Sequence, residues 1–204
     1  MTLLHRVVRR AVKEVQALRR DHLDGFAFVH INKTGGSSIE RALQLPIDHR
    51  TALEWRRDLG DREWNRRFTF SVVRNPWDRA VSHYHYRVQT NQTGLGDAPI
   101  GFDEWARRVF GERDSRYLDQ PKMFMPQTDW LTDEDAEMLV DRVCRFENLA
   151  DDVARVGDEI GRPLRLPHVK ASDRGPYRTY YDDETRELVG AWFRDDIDRF
   201  GYAF

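Results

Sequence analysis

The chain has 204 residues, 40% hydrophobic and 33% charged, with a formal net charge of −2. That suits a soluble globular protein with one real core and argues against a general nucleic-acid binder. No stretch reaches the roughly 18 apolar residues of a membrane span, and a single cysteine, Cys144, excludes an internal disulfide.

Residues 3–20 read as an amphipathic helix, with Leu4, Val7, Val8, Ala11, Val15 and Leu18 near one face and Arg6, Arg9, Arg10, Lys13, Arg19 and Arg20 beside them. The stripe suits packing on the domain. The basic flank would alternatively suit an anionic membrane surface or a partner. Scattered arginines argue against a signal peptide, so the expected location is the cytoplasm. A first strand is expected at 26–31, followed by Lys33-Thr34-Gly35-Gly36-Ser37-Ser38 and a helix over 37–44. A strand, a tight turn with a lysine, two glycines and three hydroxyls, then a helix start make an anion-binding device. Glycines let backbone N–H groups approach an oxyanion, and the helix start adds donors and partial positive charge. Ser37 and Glu40 have capping-box spacing, which puts the helix start at Ser37.

The loop is not a nucleotide-hydrolysing P-loop, in which lysine follows the glycines. Here Lys33 precedes them, and the second strand, 68–73, ends in Arg74 rather than in an acidic residue for magnesium. No metal is expected. Between the strands, Ala52 to Trp64 has helical character. Asn75 is a good N-cap and Pro76 a good first residue for a helix to about Val88. A flexible loop (90–101), a short helix (102–110), an irregular stretch (111–131), a helix (133–141), a third strand (143–146) and a helix (148–160) should follow. A loop with Pro167, Gly175 and Pro176 then leads to a last helix over 182–199. Strands alternating with helices point to an α/β fold of P-loop-like, three-layer type, with a central parallel sheet flanked by helices. The expected layout is a single domain, 1–204, with an N-terminal helix (1–24) and a catalytic core (25–204).

Arg74 stands at a strand's carboxyl end, where open parallel sheets bind ligands. Ser82 lies on the following helix, and a guanidinium with a hydroxyl can grip one phosphate from two sides. Asp78, one turn from Ser82, is the competing partner for Arg74. Two strand–loop–helix anion sites imply a ligand with two separated anionic groups.

Phe28-Val29-His30-Ile31-Asn32-Lys33-Thr34-Gly35-Gly36-Ser37-Ser38-Ile39 resembles the 5′-phosphosulfate loop of sulfotransferases, and Arg74-Asn75-Pro76-Trp77-Asp78-Arg79-Ala80-Val81-Ser82 resembles their 3′-phosphate strand and helix. The likeness is closest to the carbohydrate sulfotransferases, Golgi-type and bacterial, that include the heparan and chondroitin enzymes. It extends weakly to Arg145-Phe146-Glu147-Asn148-Leu149 and to the final Phe200-Gly201-Tyr202. Asn32 departs from the proline usual in the family, and the stem and membrane anchor of the Golgi enzymes are not expected here. The resemblance implies transfer of a sulfuryl group from 3′-phosphoadenosine 5′-phosphosulfate (PAPS) to a hydroxyl of a carbohydrate or similar acceptor, leaving adenosine 3′,5′-bisphosphate. It implies that Lys33 stabilises the leaving phosphate, that Thr34, Gly35, Gly36, Ser37 and Ser38 hold the 5′ end, and that Arg74 and Ser82 hold the 3′-phosphate. A loop Ser172–Tyr177 with Arg174 would close over the adenosine.

An acceptor hydroxyl needs a base. His30, His49, His83, His85 and Glu54 are candidates, and His49, between the two motifs as in related enzymes, is chosen. Trp105, Phe110, Tyr117, Met123, Phe124, Met125, Gln127 and Trp130 offer either an acceptor platform or ordinary core packing. The rival readings are a nucleoside or sugar kinase of the same broad fold, against which the lysine order speaks, and a non-catalytic nucleotide-binding module. Neither the acceptor nor the oligomeric state is fixed by these residues.

Overall fold

The computed structural model describes residues 3–166 and 174–204, and within the first helix it describes side chains from residue 11 onward, apart from Lys13 and His22. In chain order the elements are α1 (Leu3–His22), β1 (Phe26–Val29), α2 (Gly36–Leu43), α3 (Ala52–Leu59), α4 (Asp61–Trp64), β2 (Phe68–Val73), α5 (Pro76–Gln89), α6 (Phe102–Ala106), α7 (Gln127–Leu131), β3 (Arg142–Arg145), α8 (Leu149–Glu159), α9 (Asp183–Trp192) and α10 (Arg194–Phe200). The result is a mixed α/β fold with a small parallel sheet and flanking helices. Among the described residues the sheet has three strands in the order β1-β2-β3. Phe26 pairs with Phe68 and Val29 with Ser71, while Phe70 pairs with Arg142 and Val73 with Arg145.

The chain divides into two compact units, Met1–Val73 with Trp130–Val169, and Arg74–Asp129 with Lys170–Phe204. The first holds the sheet. Alternation along β1 and β2 places Phe26, Phe28, Phe70 and Val72 on one face, where they pack with Ile39 and Leu43 of α2 and Leu149, Val153 and Val156 of α8. Each such side chain, once buried, contributes on the order of 1.5–3 kcal/mol. Cys144 belongs to this core, and burial pushes its thiol up to about 12, so it stays protonated and inert. The second unit centres on Trp77, Val81, Trp105, Phe110, Phe124, Val189 and Phe193.

Several boundaries differ from expectation. The helix expected over 133–141 is a turn. Asp133 accepts hydrogen bonds from the amides of Asp135 and Glu137, Ala136 sits at φ +61°, and Leu139 N donates to the Leu131 carbonyl. An aspartate that satisfies local amides offers the backbone an alternative to helix, and here it prevails. The short helix expected over 102–110 is α6 followed by a π-type turn (Arg107–Gly111), and the stretch expected to be irregular over 111–131 contains a 3-10 turn (Pro121–Phe124) and α7. The last helix is broken at Phe193, whose ψ of 30° interrupts it. In α1 Val15 and Leu18 of the expected stripe are 65 and 60% exposed, and Val12 beside them 49%, so this part of the stripe does not pack on the domain. The helix is held instead near its C-terminal end, where Arg19 donates to the Leu43 carbonyl and Arg67 donates to the Arg20 and Asp21 carbonyls. Pro167 lies outside the described residues.

Ala136 occupies a backbone region that costs an L-residue about 1–2 kcal/mol, a cost glycine does not bear. Ala136→Gly should therefore raise stability slightly, by about 0.5 kcal/mol after the entropy of the added glycine. Urea unfolding should show a higher midpoint with unchanged slope; a lower midpoint would contradict the reading of this turn.

Candidate active site

The loop between β1 and α2 is built around a buried acid. Glu40, on α2, is 3% exposed; its Oε1 accepts from His30 Nδ1 at 2.8 Å and from the Asp48 amide at 3.0 Å. The Ser37–Glu40 capping box is therefore not formed: Glu40 is spent on His30 and on the 48–50 segment. α2 starts one residue early, at Gly36, after an N-cap Gly35 at φ +85° that offers no side-chain cap. The capping box occurs instead at α3, between Thr51 and Glu54. Lys33 also adopts the left-handed region, φ +66°, a strained setting for a side-chain-bearing residue at a turn.

Gly36 is required by space and Gly35 by its left-handed backbone. A Cβ on Gly36 would lie 2.0 Å from the His30 ring, and one on Gly35 would lie 2.9 Å from Leu149 Cδ2. The backbone is drawn tight under the loop, and the first-turn amides of α2 carry the partial positive charge of a helix start. Ser37 is exposed and Ser38 half-buried, whereas Thr34 is fully buried and its hydroxyl donates to the Ile31 carbonyl at 2.8 Å. Thr34 thus closes the turn from within.

His49 is half-buried in the same unit. Its Nδ1 lies 3.0 Å from the His30 carbonyl. Because a carbonyl only accepts, Nδ1 carries the proton and Nε2 carries the lone pair, which is the arrangement a general base needs. Burial, then the nearby His30 ring, lower its pKa from the ordinary histidine value, so the neutral form prevails at pH 7. The two rings stand 4.4 Å apart, and Trp130 meets His49 edge-on at 6.3 Å. The segment carrying His49 is pinned on both sides. Asp48 N bonds Glu40, while Arg50 bonds Asp48 and Asp58 and lies 3.7 Å over the Trp55 ring.

In the second unit, Asn75 caps α5 as expected, accepting from the amides of Trp77 and Asp78. Arg74 is buried and does pair with Asp78, through Nε at 2.8 Å and Nη2 at 2.7 Å. The other Asp78 oxygen receives Arg174 Nη2 at 2.5 Å. One carboxylate thus holds two guanidinium groups side by side. Ser82 is half-buried one turn along the same helix. The sequence reading treated Asp78 as a competitor for Arg74; in the structure it also gathers Arg174. Ser172 and Asp173 lie outside the described residues.

The remaining candidates have other occupations. Glu54 caps α3. His83 is buried, with its ring 4.4 Å from Phe124. His85 is half-buried, its pKa lowered by burial and then by Arg174, with Tyr180 edge-on at 5.1 Å. Trp105, Phe110, Tyr117, Phe124, Gln127 and Trp130 are all core, none more than 6% exposed, and so form no open platform. Met123 and Met125 are half-buried, and their carbonyls accept from Arg79. Two contributors escaped the sequence reading. Glu40 was taken for a cap, and Gln127 for part of either an acceptor platform or the core, with no sign of its hold on Arg74.

Gly36→Ala should drive a methyl into His30 and disturb its bond to Glu40, at a cost on the order of 1–3 kcal/mol. Thermal unfolding should shift down, and activity measured well below the new midpoint should still be lost. Full activity in the folded variant would show that the tight approach of backbone to His30 is dispensable.

No curated protein and no solved structure matches the chain. A model of the sulfotransferase family matches residues 16–203. That match spans both strand–loop–helix motifs, and the chain belongs to the sulfotransferase family.

Proposed function

We propose that this sulfotransferase uses His49 as general base and Lys33 as leaving-group stabiliser. The family assignment carries the activity itself: sulfuryl transfer, with PAPS as cosubstrate and a hydroxyl-bearing acceptor. The donor set suits the two ends of PAPS. Helix-start amides, glycines and the hydroxyls of Ser37 and Ser38 suit a 5′-phosphosulfate, and the paired guanidiniums of Arg74 and Arg174 with the Ser82 hydroxyl suit a 3′-phosphate. PAPS supplies the sulfuryl group.

In this reading, Gly35, Gly36, Ser37 and Ser38 hold the 5′ end, with Thr34 shaping the turn beneath them. Lys33 places its ammonium against the bridging oxygen, where charge builds as the bond breaks. His49 accepts the acceptor's proton at Nε2. The observation that carries the assignment is the Nδ1–H bond to the His30 carbonyl, which fixes the reactive tautomer. A carbohydrate is the acceptor class that the motifs' likeness to carbohydrate sulfotransferases favours.

PAPS-dependent transfer to a panel of carbohydrate hydroxyls tests the reading. His49→Ala should lower kcat about 10²–10⁴-fold with little change in KM for PAPS, and Lys33→Ala should lower both kcat and affinity. Because burial depresses the His49 pKa, the base stays available down to below pH 6.5, and kcat/KM should fall as pH drops through that lowered value. A wild-type limb centred above pH 7, or an active His49→Ala, would assign the base elsewhere.

The exposed Val12, Val15 and Leu18, with the basic residues that surround them in the sequence, support peripheral contact of α1 with an anionic membrane. Sedimentation with phosphatidylserine vesicles should capture the protein and should fail for Val15→Glu/Leu18→Glu. Equal recovery of the two proteins would sink the idea.

A further inference from the structure

Arg74 is gripped at its backbone as well as at its guanidinium. The Gln127 carboxamide lies against its peptide groups. Oε1 accepts from Arg74 N at 2.8 Å, and Nε2 donates to the Arg74 carbonyl at 2.9 Å. Gln127 is fully buried, and its own orientation is set by Asp196 of α10, also fully buried. The Asp196 carboxylate accepts from Gln127 N at 2.8 Å, from Gln127 Nε2 at 3.1 Å and from Thr128 N at 2.7 Å. Without that carboxylate the amide could turn over, exchanging donor for acceptor at Arg74.

The arrangement is costly. A carboxylate out of water is tolerated only with hydrogen bonds and nearby positive charge. Three N–H groups supply the first, and Arg79 the second. Arg79 is itself buried, with its pKa lowered to about 10 by desolvation against the opposing pull of Asp196. Its guanidinium donates to the Met125 and Met123 carbonyls, fastening the segment before Gln127 to α5. A strand end needs one backbone partner, and an ordinary core would supply it with peptide groups. Here one fully buried side chain, Gln127, is spent on the backbone of Arg74, and a second from a distant part of the chain, Asp196, is spent on holding the first.

We infer that Gln127, locked by Asp196, is a positioning residue that fixes the Arg74 peptide and thereby the guanidinium offered to the 3′-phosphate. This rests on the reading of Arg74 as a 3′-phosphate residue. Asp78 sets the side chain, Gln127 sets the backbone, and only the two together define where the cation stands.

Calorimetric binding of adenosine 3′,5′-bisphosphate and of adenosine 5′-monophosphate, which lacks the 3′-phosphate, tests this on the full chain. Gln127→Met keeps the volume and removes both bonds. It should weaken the bisphosphate about tenfold, the scale of one or two buried hydrogen bonds, while the monophosphate changes less than about twofold. In the transfer assay KM for PAPS should rise with kcat nearly unchanged. In an Arg74→Ala background Gln127→Met should leave the preference for the 3′-phosphate unaltered. Asp196→Asn, which keeps the shape but turns one of the two acceptor oxygens into an NH2 donor facing the Gln127 or Thr128 N–H groups, provides a second variant should Gln127→Met fold poorly; it should move the same preference in the same direction. Equal loss for both nucleotides, or an unchanged preference in both folded variants, overturns the inference. If Arg74→Ala alone keeps the full preference, the underlying reading falls instead, and the inference with it.

Discussion

A single buried carboxylate organises the sheet-bearing unit. Glu40 sits in the interior at 3% exposure and accepts from two groups ten and eight residues away. One is the imidazole of His30, at the end of β1; the other is the amide of Asp48, next to His49. The Lys33–Ser38 loop lies between His30 and Glu40 in sequence, so the pair closes that loop as a ring. The carbonyl of the same His30 then orients His49. Loop shape, glycine requirement and histidine tautomer therefore rest on one acid, and each would be lost if it were solvated. A buried charged partner is a poor source of stability, yet it selects one geometry over close alternatives.

The second unit applies the same physics to arginine. Guanidinium groups keep their charge under burial and bond through a planar fork, so they can be held from several sides. Arg74 is held by an aspartate on its fork, Arg79 by carbonyls, and Arg87 by Asp119 and Gln92. Of these, Arg74 follows directly on a strand, and a neighbour, Arg174, joins it on the same carboxylate. The interior of this unit is rich in aromatic residues, with Trp77, Trp105, Phe110, Phe124 and Phe193 in one cluster. Of the two roles open to Trp105, Phe110, Tyr117 and Phe124, acceptor platform or core packing, they take the second.

What was legible from the sequence follows from where the information is local. The strand–loop–helix order, the Asn75 cap with Pro76, and the parallel α/β class depend on neighbouring residues, and they appear as expected. The choice of His49 depended on its place between two motifs. Its orientation depends on a carbonyl 19 residues away and was not readable. The 133–141 segment has helix-compatible composition, but Asp133 binds nearby amides and reverses the chain. Glu40 looked like a cap because its spacing from Ser37 is right, and only the fold reveals a nearer competitor in His30. Gln127 and Asp196, 69 residues apart, share no local signal at all.

Asp78 has one more consequence. Two guanidinium groups facing each other would repel, and an empty site of that kind would spread or fill with solution ions. With a carboxylate already between them, the cluster carries its own counter-ion and keeps its shape without a ligand. If this cluster takes the 3′-phosphate as proposed, ligand arrival is an exchange of one anionic partner for another rather than the capture of a charge by bare cations. Fewer bulk ions are displaced in such an exchange, so affinity there should vary less with ionic strength than two arginines alone would imply.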